Sequence, residues 1–142
     1  MGKLAANQAS IKEYAYKNLP GLVKIIPYQD IYKLKYLVKN SRGLLFPSFY
    51  EGFGLPVIEA FSQGIPVLHS NTSCLPEIAA SLGISCDPYD LKSIEQGLLE
   101  MIFLNNEKEI VFKRKQWAGQ FTYALAAQKF SSVIDGVMTD LR

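Results

Sequence analysis

Glu51-Gly52-Phe53-Gly54-Leu55-Pro56-Val57-Ile58-Glu59 follows an apolar run, Gly43-Leu44-Leu45-Phe46, that stops at Pro47. The run has strand character, the two glycines mark a turn, and Pro56 suits the first helical position, where its missing N–H costs nothing. Strand, polar turn and helix in that order is the layout by which open α/β sheets build ligand sites at strand C-termini. Gly52 and Gly54 let the backbone approach a ligand or take positive φ. The amides of the helix start carry a partial positive charge that suits a phosphate. Glu59 sits about one turn into the helix, and helical side chains lean toward the N-terminus, so its carboxylate can reach the pocket that Glu51 approaches from the turn. A carboxylate accepts two hydrogen bonds side by side, as a vicinal diol requires. The same spacing also describes a turn residue and a first-turn acid complementing the helix dipole, so spacing alone leaves both readings open.

Outward from that stretch the chain alternates between strand and helix patterns. Leu4 to Lys17 reads as a helix ended by Pro20-Gly21, and Leu22 to Ile26 as a strand stopped by Pro27. Apolar residues at 31, 34, 37 and 38 form a helical stripe. The motif helix runs from Pro56 to about Gln63 and is closed by Gly64. Ile65 to Leu68 reads as a short buried strand, Leu75 to Leu82 as a helix and Ile84 to Cys86 as a strand before Asp87-Pro88. Leu91 to Leu104 is an amphipathic helix with Ile94, Leu98, Met101 and Ile102 expected inward. Glu107 to Ala118 and Thr122 to Met138 complete an all-helical C-terminal tail, with Thr122 as an N-cap. The fold class is therefore α/β: a Rossmann-like three-layer sandwich on a truncated, mostly parallel sheet of about four strands.

Composition narrows the function classes. The 142 residues, 49% of them apolar, suit a single domain spanning 1–142 with a real core. No apolar run approaches the roughly 18 residues of a membrane span, and no signal peptide is visible, so a cytoplasmic location is expected. Two cysteines, Cys74 and Cys86, with the single histidine His69 cannot make a zinc cluster, and buried thiols are expected rather than a disulfide. Residues 1–50 hold eight Lys or Arg against two acids, and the remainder holds seven against eleven. Solvated helix faces account for most of the basic excess, and Lys113-Arg114-Lys115 is read in the same way. Without an aromatic-interleaved groove or a nucleic-acid motif, nucleic acid is not expected as a partner. Contact with the inner membrane face has only the basic first third in its favour.

The chain from roughly Leu22 to Tyr89 resembles the donor-binding half of a family 4 (group 1) glycosyltransferase of the two-Rossmann-domain (GT-B) type. The resemblance is carried by Phe46-Pro47-Ser48-Phe49-Tyr50-Glu51-Gly52-Phe53-Gly54-Leu55-Pro56, Glu59-Ala60, Gly64-Ile65-Pro66-Val67, Ser70-Asn71, Leu75-Pro76-Glu77 and Asp87-Pro88. It implies that Glu59 binds the ribose of a UDP- or GDP-sugar. It implies further that Glu51, as the catalytic residue, and the backbone of Gly52, Phe53, Gly54 and Leu55 hold the donor sugar and its diphosphate, with Ser73 as a further donor-binding residue. Lys3, Tyr28, Gln29, His69 and Thr72 are further candidates for donor contact. For Tyr28 and Gln29 a surface turn, and for His69 a satisfied packing position, are the competing readings. The family transfers a hexose with retention of anomeric configuration and needs no metal or cofactor.

The resemblance also implies missing parts. Family members have six parallel strands in the order 3-2-1-4-5-6, and the strands here align with the third to the sixth. The expectation is thus a partial nucleotide-sugar-binding half, without the N-terminal acceptor domain that is its partner in the family and without the first strands. Strand Leu22–Ile26 is then expected to pair with Gly43–Phe46, unless a second chain fills the gap. The family's last helix crosses back to the N-terminal domain, which would leave Phe130, Val133 and Ile134 exposed and favour self-association. The alternative functions are a non-catalytic nucleotide-sugar-binding or interaction module and, less well matched by the paired glutamates, an epimerase on the same scaffold.

Overall fold

A computed structural model describes residues 8–140, so the expectations for Lys3 and for Leu4 to Asn7 lie outside the described residues. The chain divides into two compact units, Met1–Lys33 and Leu34–Arg142. In the first, helix α1 spans Gln8–Asn18 and is followed by a turn in which the Leu19 amide donates to the Ala15 carbonyl. Residues 23–30 form no strand. Helix α2, Ile31–Lys39, starts at Asp30, whose carboxylate accepts from the Lys33 amide at 2.9 Å.

The second unit holds a parallel sheet in the order β1-β2-β3, made of Leu44–Phe46, Val67–Ser70 and Ile84–Cys86. Its register places Phe46 beside His69 and Ser70 beside Cys86. Helix α3 (Leu55–Ser62) connects β1 to β2. Helix α4 (Leu75–Ala79) and a 3₁₀ turn (Ala80–Leu82) connect β2 to β3. Helices α5 (Leu91–Phe103), α6 (Lys108–Ala118) and α7 (Tyr123–Asp140) follow. Helix α5 is capped by Asp90, which accepts from the Lys92 amide.

Two apolar clusters make the layers. Val57, Ile58, Ala60 and Phe61 of α3 pack with Val67, with Leu75, Ile78 and Ala79 of α4, and with Ala118 of α6. Across the sheet, Leu68, Ile84 and Cys86 pack against Ile94, Leu98 and Met101 of α5. Successive residues Val67 and Leu68 thus enter opposite clusters, which is why β2 is buried along its whole length, its polar residues His69 and Ser70 included. The three-layer α/β sandwich expected from the sequence is present, and the sheet order reproduces the expected run of adjacent strands.

Four expectations need correction. The sheet has three strands among the described residues, not about four, because Leu22–Ile26 forms no ladder and β1 pairs only with β2. A strand exists only through its partner's hydrogen bonds, so an apolar run of the right composition does not by itself make one. The second strand starts at Val67, two residues later than expected, because helix α3 consumes the preceding amides. Gly64, at φ +77°, donates to the Phe61 carbonyl and Ile65 donates to the Ala60 carbonyl, the paired bonds of a Schellman cap. Ile102 is exposed rather than inward. Arg114 is not on a solvated face: only 2% of its surface is exposed.

That arginine lies under the 3₁₀ turn, donating from Nε to the Leu82 carbonyl at 3.1 Å and from one terminal nitrogen to Asn106 Oδ1 at 2.8 Å. Burial pushes its pKa below the ordinary arginine value. Lys113, its neighbour, does face solvent and pairs with Glu109 one turn earlier at 2.6 Å. Both cysteines are free thiols, Cys74 partly buried and Cys86 buried. Among the described residues no helix is long and apolar enough to cross a membrane. Helix α7 exposes Phe130, Val133 and Ile134, as expected.

Candidate functional site

At the C-terminal end of β1 the chain leaves the sheet as Pro47–Gly54 and enters α3 through Gly54, which caps the helix at φ +90° and ψ +41°. A Cβ there would lie 2.7 Å from Leu75 Cδ2, so both the left-handed backbone and the contact with α4 require glycine. Pro56 occupies the first turn, as the sequence predicts, and the Val57 amide closes on the Gly54 carbonyl at 2.9 Å. The backbone N–H groups of Gly52, Phe53, Gly54 and Leu55 have no hydrogen-bond acceptor among the described residues. Consecutive unpaired donors at a helix start are the arrangement that suits an anionic oxygen cluster.

Glu51 is half-buried in the same loop. Its Oε1 accepts from Ser48 Oγ at 2.9 Å, its amide donates to Ser73 Oγ at 3.2 Å, and its carbonyl accepts from Cys74 Sγ at 3.3 Å. Ser73 holds φ +53°, an uncommon conformation for a residue with a side chain, and its hydroxyl is aimed at Glu51 from there. Thr72 Oγ1 donates to the Phe49 carbonyl at 3.2 Å, and Ser70 Oγ donates to the Ser48 carbonyl. The β2–α4 loop thereby holds the β1–α3 loop by side chains after the strand ladder has ended. Phe49 stacks on Tyr89 beyond β3 at 4.9 Å.

Glu59 is exposed on α3 and lines a small hollow with Ser62 and Gln63 and with Leu34, Lys35 and Val38 of α2. The expected convergence on one pocket is therefore not seen: the hollow that Glu59 lines lies toward the C-terminal end of α3 and does not include Glu51, and no hydrogen bond joins the two carboxylates among the described residues. The side chains of Phe53 and Leu55 turn the other way. With Ile58 they form one wall of a cleft of about 330 Å³ whose other wall is Phe121, Tyr123 and Leu125. Phe53 meets Phe121 edge-on at 6.0 Å, and Phe53 and Leu55 thus leave their amides in the loop while their side chains line the cleft.

The remaining candidates among the described residues are Tyr28, Gln29 and His69. Tyr28 and Gln29 belong to the first unit, where Tyr28 is almost fully exposed and Gln29 donates to the Pro27 and Tyr28 carbonyls. His69 is buried in β2, its Nδ1–H donating to the Ser70 carbonyl at 2.9 Å. Burial lowers its pKa, favouring the neutral ring, and the hydrogen bond to the Ser70 carbonyl opposes that shift only in part. Ser48 and Ser70 were not among the sequence candidates. Their signal was a cluster of hydroxyl residues at 70, 72 and 73 opposite the loop that carries Glu51.

The chain is similar in sequence to known proteins. The family model for glycosyl transferases group 1 matches residues 2–117. O-antigen chain mannosyltransferase B of Escherichia coli is 38% identical over 94 residues, which are 66% of this chain and 25% of that protein. The serotype-specific mannosyltransferase WbdA of Escherichia coli is 40% identical over 97 residues, 63% of this chain and 12% of its own length. Sucrose-phosphate synthase of Spinacia oleracea is 36% identical over 75 residues, 51% of this chain and 7% of that enzyme. The chain thus spans a quarter or less of each of these relatives. With most of its length inside the family match, the chain belongs to the group 1 glycosyltransferases.

Proposed function

We propose that the chain binds a nucleotide diphosphate hexose and serves its transfer, with retention of anomeric configuration, to a hydroxyl held by a separate acceptor domain. The observation that carries this reading is the run of four amides, Gly52 to Leu55, unpaired among the described residues, beside the tethered carboxylate of Glu51. The amides and the dipole of α3 would receive the diphosphate. Glu51 would accept from hydroxyls of the sugar, and Glu59 from the ribose. In the transfer, the bond from the anomeric carbon to the diphosphate oxygen breaks and its electron pair leaves with the diphosphate. An acceptor oxygen bonds the anomeric carbon on the same face, and the acceptor proton departs with the diphosphate. Charge grows on the leaving group, so donors fixed in place before the reaction act where they are worth most. No residue of the chain needs to act as a nucleophile.

The names of two of the relatives favour mannose as the hexose. Isothermal titration of the chain with GDP-mannose, UDP-glucose, GDP, UDP and ADP tests the reading. Saturable heat with one diphosphate nucleotide and its sugar, strongest for GDP-mannose, is expected. Absence of heat with all five would leave a module that binds no donor.

A further inference from the structure

The side-chain bonds between the two loops follow a rule. Ser70 reaches Ser48, Thr72 reaches Phe49, and Ser73 and Cys74 reach Glu51. Their sequence separations are 22 or 23 residues, and the ladder itself pairs Phe46 with His69. The seam thus continues the strand register past the end of β1, with hydroxyl and thiol groups replacing backbone partners. It fixes the backbone at 48, 49 and 51 but leaves one side chain to be oriented, that of Glu51.

Only Ser48 touches that carboxylate among the described residues. Its Oγ lies 2.9 Å from Glu51 Oε1 and 3.3 Å from the Tyr50 carbonyl. A hydroxyl has one proton, and the shorter contact to an ionised acceptor is the stronger, so the proton goes to Glu51. Oε2 has no partner among the described residues. We infer that Ser48 is the positioning residue for Glu51, holding Oε1 so that Oε2 is presented in one orientation to the sugar hydroxyls of the donor. This rests on the donor-binding reading given above.

The Ser48 side chain is separable from the seam, which uses the Ser48 carbonyl, so Ser48→Ala keeps the seam bonds and removes the tether together with the longer contact to the Tyr50 carbonyl. Ser48→Thr keeps the hydroxyl. Two measurements test the assignment. With ¹³C-labelled glutamate, three-bond couplings across the Glu51 side chain should report one rotamer in the parent and in Ser48→Thr, and averaged values in Ser48→Ala. This readout needs no ligand, and identical couplings in all three proteins would overturn the assignment even if no donor binds. The second is the ratio of affinities for GDP-mannose over GDP. It should fall about tenfold in Ser48→Ala, return in Ser48→Thr, and leave the affinity for GDP itself unchanged. A freed rotamer with an unchanged ratio would contradict presentation to the sugar. Failure of the parent to bind any nucleotide would count against the donor-binding reading alone, with the couplings still deciding the role of Ser48.

Discussion

Gly54 and Leu75 are packed so closely that a methyl group on the glycine would sit 2.7 Å from Leu75 Cδ2. This contact locks the start of α3 onto α4, and α4 follows the loop that holds Glu51, so one glycine fixes both sides of the candidate site. Gly54→Ala combines a left-handed backbone cost of about 1–2 kcal/mol with overpacking of about 1–3 kcal/mol. Urea unfolding should show a loss of about 2–4 kcal/mol. A loss below about 0.5 kcal/mol would mean that α4 moves freely away from the loop.

Leu75 itself is fully buried in the cluster beneath the loop. Leu75→Ala is expected to cost about 2–5 kcal/mol through lost burial and the cavity left behind. It relieves the crowding at position 54, so the double variant with Gly54→Ala should be less destabilised than the sum of the two. Strict additivity in the unfolding free energies would exclude the coupling.

Arg114 donates to Leu82 and Asn106 from a buried position, and no carboxylate pairs with it among the described residues. Removing the side chain in Arg114→Ala takes away the donors to a carbonyl and an amide oxygen and leaves a hole, at about 2–4 kcal/mol. Exposed Lys113→Ala should change stability by less than about 0.5 kcal/mol, since its pair with Glu109 is at the surface. Equal effects of the two substitutions would place Arg114 in solvent.

His69 is the chain's single histidine, and burial holds its folded pKa below the ordinary value. The unfolded state therefore binds the proton first as pH falls. The associated stability is complete above about pH 6.5 and is lost on acidification toward the folded pKa, with a slope of at most about 1.4 kcal/mol per pH unit. Thermal melts between pH 7.5 and 5.5 should show this decline in the parent and a flatter profile in His69→Gln. An unchanged profile in the variant would show that another group controls the window.

Much of the site was readable before the fold because its determinants are local. Pro56 and Gly54 set the helix start, and the amides there have no acceptor among the described residues, whereas Gly52 has neither a positive φ nor a close neighbour. The third strand, Ile84–Cys86, has the bounds expected from its sequence. What was misread depends on partners. Leu22–Ile26 has strand composition but no ladder, and Ile65 looks like the start of a strand while its amide caps a helix. Arg114 sits in a basic run that reads as solvated, and only the approach of Leu82 and Asn106 shows otherwise. Ser48 is of the same kind: its chemistry is visible in the sequence, but its aim at Glu51 is a matter of geometry.

The central claim is that one ligand meets the amides of Gly52 to Leu55 and the carboxylates on either side of them. An amide-resolved NMR titration of the ¹⁵N-labelled chain with GDP-mannose and UDP-glucose tests it most directly, with Glu59→Ala as the control. The account predicts that the resonances of Gly52, Phe53, Gly54 and Leu55 shift together with those of Glu51 and Glu59, and that Glu59→Ala abolishes the response. Shifts confined to the cleft walls at Phe121, Tyr123 and Leu125, or unaltered binding by Glu59→Ala, would contradict it.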